Sequence, residues 1–500
     1  MSLNEQKQFI IDKWLPIGFF ICFFAAITAA TIYFAPSWGL MDDFGLLKTA
    51  REFKADPRNV HLVTENFITS GMLRPFYYSW AAVFYGIFEN SPTEFYIFIA
   101  ACNMAAMVFW GIVFYNLFGV RKEDRFWTVF FYPLTFFVFT PFWNIFNYLS
   151  LQEKFIVFFA PLAIYFFQKL YREFSAQSLA WLYFFMFLGM MSKATFVYVP
   201  FIFLVYAFLD LVIFHYRPKT SWMLLWINGI IFAAYAIFTL TFQIQGNYTA
   251  KYKEGLAAGA LIGKIFQLSV VMKSLMVMGL VGFLGVAAYS ILKGKRERSL
   301  GIMIYVALMA YIVLLMPWGF QSYLISAMGP LALGALFPVY AWLIKKGGAV
   351  KLFLNGVLMI VLCFVFFGNI VPNISRMGDI GRAIVFLSSQ NQDSKDIYFM
   401  PPPYVESADA TRKFTQKNVY YCADGKITSD LLSLQGRNYL IMVDLFPSII
   451  LSGVNVGDRV FANETWQIFE LVSAHGNEET FRVPFKKTMI QKLKVMIREL

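Results

Sequence analysis

Residues 14–35 read WLPIGFFICFFAAITAATIYFA, a stretch without one charged side chain. At 1.5 Å per residue such a helix is about 33 Å long, enough to cross a hydrocarbon core of roughly 30 Å. Uncharged runs of similar length recur at 95–118, 221–242 and 352–371. Across 500 residues, 59% are hydrophobic, 19% aromatic and only 14% charged, where a soluble domain carries about 25% charged residues. A soluble enzyme, a disordered tail and a disulfide-stapled secreted module are excluded. The fold class expected is an α-helical polytopic membrane protein.

Hydropathy along the chain gives about eleven spans, near 14–35, 95–118, 127–146, 155–168, 179–193, 195–215, 221–243, 268–292, 300–317, 322–344 and 352–371. Residues 73–88 (LRPFYYSWAAVFYGIF) are apolar but short and rich in Tyr and Trp. If that segment crossed, the loops VRKEDR, QKLYRE, YRPK, KGKRER and KKGGAVK would face outward, against the positive-inside rule. It is read instead as a helix lying at headgroup depth. The N-terminus is then cytoplasmic, and the first outer loop runs over about 36–94. The net charge of +12 belongs to these loops and calls for no nucleic acid. Cys22, Cys102 and Cys363 lie in apolar runs, which leaves Cys422 alone in a polar region. That arrangement offers no disulfide framework and no CxxC metal site.

The composition changes after Pro372, dividing the chain into a transmembrane catalytic domain (1–372) and an outward-facing soluble domain (373–500) of small α/β type. Short alternating runs at 396–400, 418–422, 439–443 and 466–471 predict strands. The last residues, 486–500, have the spacing of a basic amphipathic helix.

In a chain this poor in acids, carboxylates at the membrane surface are informative. Asp42 and Asp43 stand side by side in MDDFG, just past the first span. One acid suffices to cap a helix, and adjacent like charges cost energy unless something uses them. Glu153, in NYLSLQEK, stands at the mouth of a span; an ion pair with Lys154 is the plainer reading. Three groups of cations lie on the same expected side: Arg74 in SGMLRP, Lys193 in MSKAT, and Lys251 and Lys253 in NYTAKYKE. Lys193 could simply reach the headgroups, and Lys251 and Lys253 could belong to a solvated loop. Together the set is chemically coherent: a carboxylate takes the proton from an acceptor hydroxyl, while cations stabilise a departing phosphate. That chemistry is glycosyl transfer from a lipid-phosphate donor.

The chain resembles the GT-C superfamily of integral-membrane glycosyltransferases, of the protein O-mannosyltransferase and lipid A aminoarabinose transferase type. The resemblance covers about residues 1–250. It rests on Asp42–Asp43 after the first span, Arg74-Pro75 before an aromatic interfacial helix, FENSP at 88–92, Glu153 in the second outer loop, and Ser192-Lys193. It implies inverting transfer from a polyprenyl-phosphate sugar to a cell-envelope glycan, lipid or protein, at the outer face of what is expected to be the bacterial inner membrane. In that scheme Asp42 or Asp43, with Asp42 favoured, is the base. Glu153 supports the sugar or acceptor, and Arg74, Lys193, Lys251 and Lys253 bind the donor phosphate. Some members use a divalent cation and others do not; Asp43 and Glu153 are its candidate ligands here. The WWDYG motif of multi-subunit oligosaccharyltransferases is missing from the sequence, which speaks against protein N-glycosylation. A transporter or flippase of a lipid-linked sugar is the alternative, but it calls for ionisable residues within the spans; Asp210 is the main one. A non-catalytic scaffold leaves the paired acids without a use.

Overall fold

Every membrane helix must satisfy its own carbonyls, because no water is present to do so. Helix α5 of this protein shows how a proline is accommodated. The computed structural model describes residues 10–36, 42–59, 75–118, 121–138, 153–193, 196, 198–238, 337, 339–345, 348–389, 396–400, 418–422, 426–432, 437–443, 448–462 and 466–482. Its helices are α1 (Leu15–Phe34), α2 (Asp42–Ala55), α3 (Pro75–Ile87), α4 (Pro92–Phe118), α5 (Glu153–Arg172), α6 (Ala176–Ser192), α7 (Tyr198–Leu209), α8 (Pro218–Phe238), α9 (Gly348–Val365) and α10 (Val371–Ser389). Pro161 sits inside α5 and has no N–H to offer the carbonyl four residues back. That carbonyl belongs to Val157, and the indole N–H of buried Trp110, on α4, donates to it at 2.9 Å.

Among the described residues, Ile10–Phe34, Pro92–Asn116, Lys154–Arg172 and Gly348–Leu387 are long and apolar enough to span a membrane; Ala176–Ser192 and Val199–Val212 are shorter apolar helices. The expected spans at 268–292 and 300–317, and most of that at 322–344, lie outside the described residues, as does the amphipathic stretch 486–500. The expected span at 127–146 departs from a uniform helix over its described part. It is a π turn (Trp127–Phe131) followed by 3-10 turns (Tyr132–Val138). Pro133 interrupts the ladder there. The segment also approaches α4 so closely that a Cβ at Gly111 would collide with the Val129 backbone.

The chain forms two compact units: Met1–Ala25, Glu52–Val83 and Phe98–Val365 make one; Ala26–Arg51, Phe84–Ile97 and Phe366–Leu500 make the other. The first holds a buried charge cluster. Lys351, at the start of α9, places its ammonium 2.5 Å from Asp12 and 3.1 Å from Asp124. Arg121 closes on Asp124 at 3.0 Å and donates to the Ile344 carbonyl. Asp124 is fully buried and Lys351 nearly so. Buried ions survive only when paired, and here two cations meet two carboxylates.

The cluster carries topological information. Asp12 precedes α1 and Asp124 follows α4, so the two lie on one side of the membrane. If α1 and α4 each cross, α3 between them does not. Its 13 residues also give only about 20 Å of helix.

In the second unit the helix continues past the composition change at 372. A π turn (Phe366–Ile370) leads straight into α10, which runs to Ser389. Pro372 falls in that first turn, and the π turn absorbs the freed carbonyl. Beyond α10 is a six-stranded mixed sheet of order β2-β1-β4-β6-β5-β3, from β1 (Ile397–Met400), β2 (Asn418–Tyr421), β3 (Lys426–Thr428), β4 (Asn438–Val443), β5 (Ser448–Ala462) and β6 (Trp466–Arg482). The pairs β1–β2, β1–β4 and β3–β5 are parallel, while β6 is antiparallel to β4 and β5. Phe399, Ile427, Leu440, Met442, Leu451 and Leu471 form its core. Burial in that core pushes the Cys422 thiol up to about 11.

Replacing Trp110 by Phe keeps the aromatic volume but strands the Val157 carbonyl. The expected cost is about 1–3 kcal/mol, read as a lowered melting temperature in detergent. Adding Pro161→Ala, which restores the helical donor, should recover most of it; no recovery would contradict the account of α5.

Candidate active site

The acid pair opens a helix. Asp42 and Asp43 are the first two residues of α2, where the helix dipole favours negative charge. Leu46, Leu47 and Ala50 bury the inner face of that helix. Its far end is held by Arg51, whose Nε lies 2.5 Å from Glu89 Oε1. Glu89 belongs to the FENSP turn between α3 and α4. One residue after that turn, the Thr93 hydroxyl donates to the Pro36 carbonyl at 3.4 Å. Tyr85 and Phe88 pack on Phe95, so the turn has its own aromatic footing. Arg51 thus ties the acid-bearing helix to the 88–93 turn, and the same turn holds Pro36 beyond α1.

In the other unit, α5 and α6 form an antiparallel pair. Phe159 stacks with Phe185, and Phe166 with Trp181. Continued along the pair, that register brings residue 153 level with 191–193. Glu153, the first residue of α5, and Lys193, which ends α6 with its N–H bonded to the Gly189 carbonyl, therefore share one end of the hairpin. The start of α3 packs on the same end: Phe76 meets Phe155 and Phe159, and Trp80 meets Phe155 at 5.0 Å. Arg74 immediately precedes that helix and lies outside the described residues, as do Lys251 and Lys253. The opposite end of α5 is fixed by Arg172, whose guanidinium donates to the Asn116 carbonyl. Glu153 and Lys193 are thereby placed at the end of the bundle away from the basic loops.

Lys154, which the sequence offered only as a partner for Glu153, has a setting of its own. It is 5% exposed, and its ammonium lies 5.7 Å over the Trp80 ring. A lysine in the first turn of a helix opposes the dipole, and burying its charge adds desolvation. That double cost is the signal that could have drawn attention to it.

Asp210, the carboxylate that most favoured a transporter, has a local role. It is fully buried and accepts hydrogen bonds from the Tyr216 and Arg217 N–H groups and from the Ser221 hydroxyl. Ser221 in turn meets Tyr171 at 2.7 Å. His215 adopts φ 49° in this turn. Asp210 thus caps the sharp connection between α7 and α8.

With the geometry described, the chain can be set beside known proteins. No family model matches the chain, and no curated protein does. Among solved structures, ArnT from Cupriavidus metallidurans bound to undecaprenyl phosphate matches at 12% identity, over 91% of this chain and 98% of that one, with a TM-score of 0.46. The oligosaccharyltransferase of Archaeoglobus fulgidus, tethered with an acceptor peptide, matches at 10% identity, over 85% and 69%, with a TM-score of 0.43. At these identities and scores the likeness assigns no residue a role.

Phe155 joins α3 to α5, touching Phe76, Tyr77, Trp80 and Phe159. Phe155→Ala should cost about 3–5 kcal/mol, seen as a lower melting temperature together with a shift in tryptophan emission as Trp80 loosens. Unchanged emission would contradict the described seating of α3.

Proposed function

We propose that this chain is a membrane glycosyltransferase that moves a sugar from a polyprenyl-phosphate donor to a hydroxyl of a cell-envelope glycan, lipid or protein. The observation that carries the proposal is the adjacent Asp42–Asp43 pair at the head of a helix that the Arg51–Glu89 ion pair holds to the 88–93 turn. The positive-inside rule puts the basic loops in the cytoplasm, so the reaction belongs to the opposite face, with the N-terminus cytoplasmic and the sheet outside.

In this scheme Asp42 accepts the proton of the acceptor hydroxyl. The hydroxyl oxygen bonds to the anomeric carbon as the bond to the phosphate oxygen breaks, and the electron pair leaves with the polyprenyl phosphate. Attack from the face opposite the leaving group inverts the anomeric centre. Asp43 and Glu153 steady the sugar or the acceptor. Arg74, Lys193, Lys251 and Lys253 take the phosphate charge that grows in the transition state, and Lys154 joins them. Undecaprenyl phosphate, the lipid in the ArnT structure, is the natural first probe.

Asp42→Asn and Asp43→Asn should both insert and fold. At least one should lower transfer by about 10²–10⁴-fold while donor lipid accumulates, measured by mass spectrometry of membrane lipids. Full transfer in both variants would remove the acid pair from the mechanism.

A further inference from the structure

The acid pair hangs from the end of α1, and that end is unusual. Ala35 closes the first span with φ 45°, a left-handed conformation that costs a residue bearing a Cβ. Its N–H still bonds back to the Thr31 carbonyl at 3.0 Å. Pro36 follows, and its carbonyl is held by Thr93. The preceding carbonyl, that of Phe34, points at α10. Gly378 lies against it so closely that a Cβ there would collide with the Phe34 oxygen. Beside Gly378, Asp379 and Arg382 form an ion pair on α10 itself. Further along α10, Phe386 stacks on Phe461 of β5 with centroids 4.8 Å apart. A line of contact thus runs from the β-sheet, through α10, to the end of α1, and on through Thr93 and Glu89 to Arg51 of α2, all within one compact unit.

We propose that Gly378 is a positioning residue: through the Phe34 carbonyl, helix α10 fixes the peptide that leads to Pro36, and through the Pro36–Thr93 and Glu89–Arg51 contacts the placement of the helix that begins with Asp42 and Asp43. The catalytic part of this statement rests on the glycosyltransferase reading; the mechanical part does not. The C-terminal sheet then serves as a fixed mount for the acid helix. Helix propensity alone favours alanine over glycine within α10, so a Gly378→Ala defect would arise from the contact and not from the helix. Glycine at position 35 has a wide left-handed range, and Ala35→Gly lets the 34–35 peptide rotate away from an added methyl without moving Pro36.

The test uses the full chain in lipid nanodiscs. Hydrogen–deuterium exchange should show Gly378→Ala raising exchange over residues 42–55 by about tenfold, with β4–β6 and α5–α6 unchanged. Adding Ala35→Gly should bring it back to within about threefold of the parent. Gly356→Ala, on α9, where an added Cβ meets nothing within 4 Å, is the control and should change nothing. With undecaprenyl-phosphate hexoses and pentoses supplied to membranes holding the natural acceptor, Gly378→Ala should lower kcat about tenfold and leave the donor KM within about twofold. Exchange over 42–55 that stays at the parent level, rises equally everywhere, or is not restored by Ala35→Gly overturns the proposal. A parent chain that consumes none of these donors, while the exchange pattern holds, removes the glycosyltransferase reading and leaves the mechanical link standing.

Discussion

A single buried ammonium ties together segments that are far apart in the sequence. Lys351 lies between Asp12 and Asp124, and Arg121 shares the second carboxylate. Breaking such a cluster by removing one partner leaves an uncompensated buried charge, which costs about 3–5 kcal/mol. Because the three segments must meet on one side of the membrane, the number of crossings between them must be even. If α1 and α4 each cross, the short helix Pro75–Ile87 between them does not.

The same economy of polar groups recurs wherever the chain bends inside the bundle. The carbonyl freed by Pro161 is taken by Trp110, and the turn at His215 is closed by Asp210. One end of the first unit is rich in paired charge. At the start of α5, Trp80 of α3 lies over the Lys154 ammonium and against Phe155.

How much of this was legible in the sequence varies with the physics involved. The spans at 14–35 and 95–118 were plain because hydropathy over twenty residues has few competing explanations. Alternation and turn residues predicted strands at 396–400, 418–422, 439–443 and 466–471, where β1, β2, β4 and the first part of β6 lie. The long strand Ser448–Ala462 was not predicted, since Gly453, Gly457 and Asp458 disfavour strand; it is held by pairing with β6 across three register shifts. The winding of 127–138 was hidden because it depends on how closely Gly111 lets α4 approach. At the site, residue type pointed to Asp42, Asp43, Glu153 and Lys193. The role of Glu89 in holding Arg51, and the burial of Lys154 under Trp80, depend on contacts between distant segments that periodicity does not encode.

Membrane sidedness is the claim on which the account turns. It can be read directly with a membrane-impermeant maleimide on intact cells, using single cysteines at Lys54 and Lys122 in a chain whose four native cysteines are replaced by alanine. The account predicts that Lys54→Cys labels in intact cells and that Lys122→Cys labels only after permeabilisation. Labelling of both from the same side would contradict it.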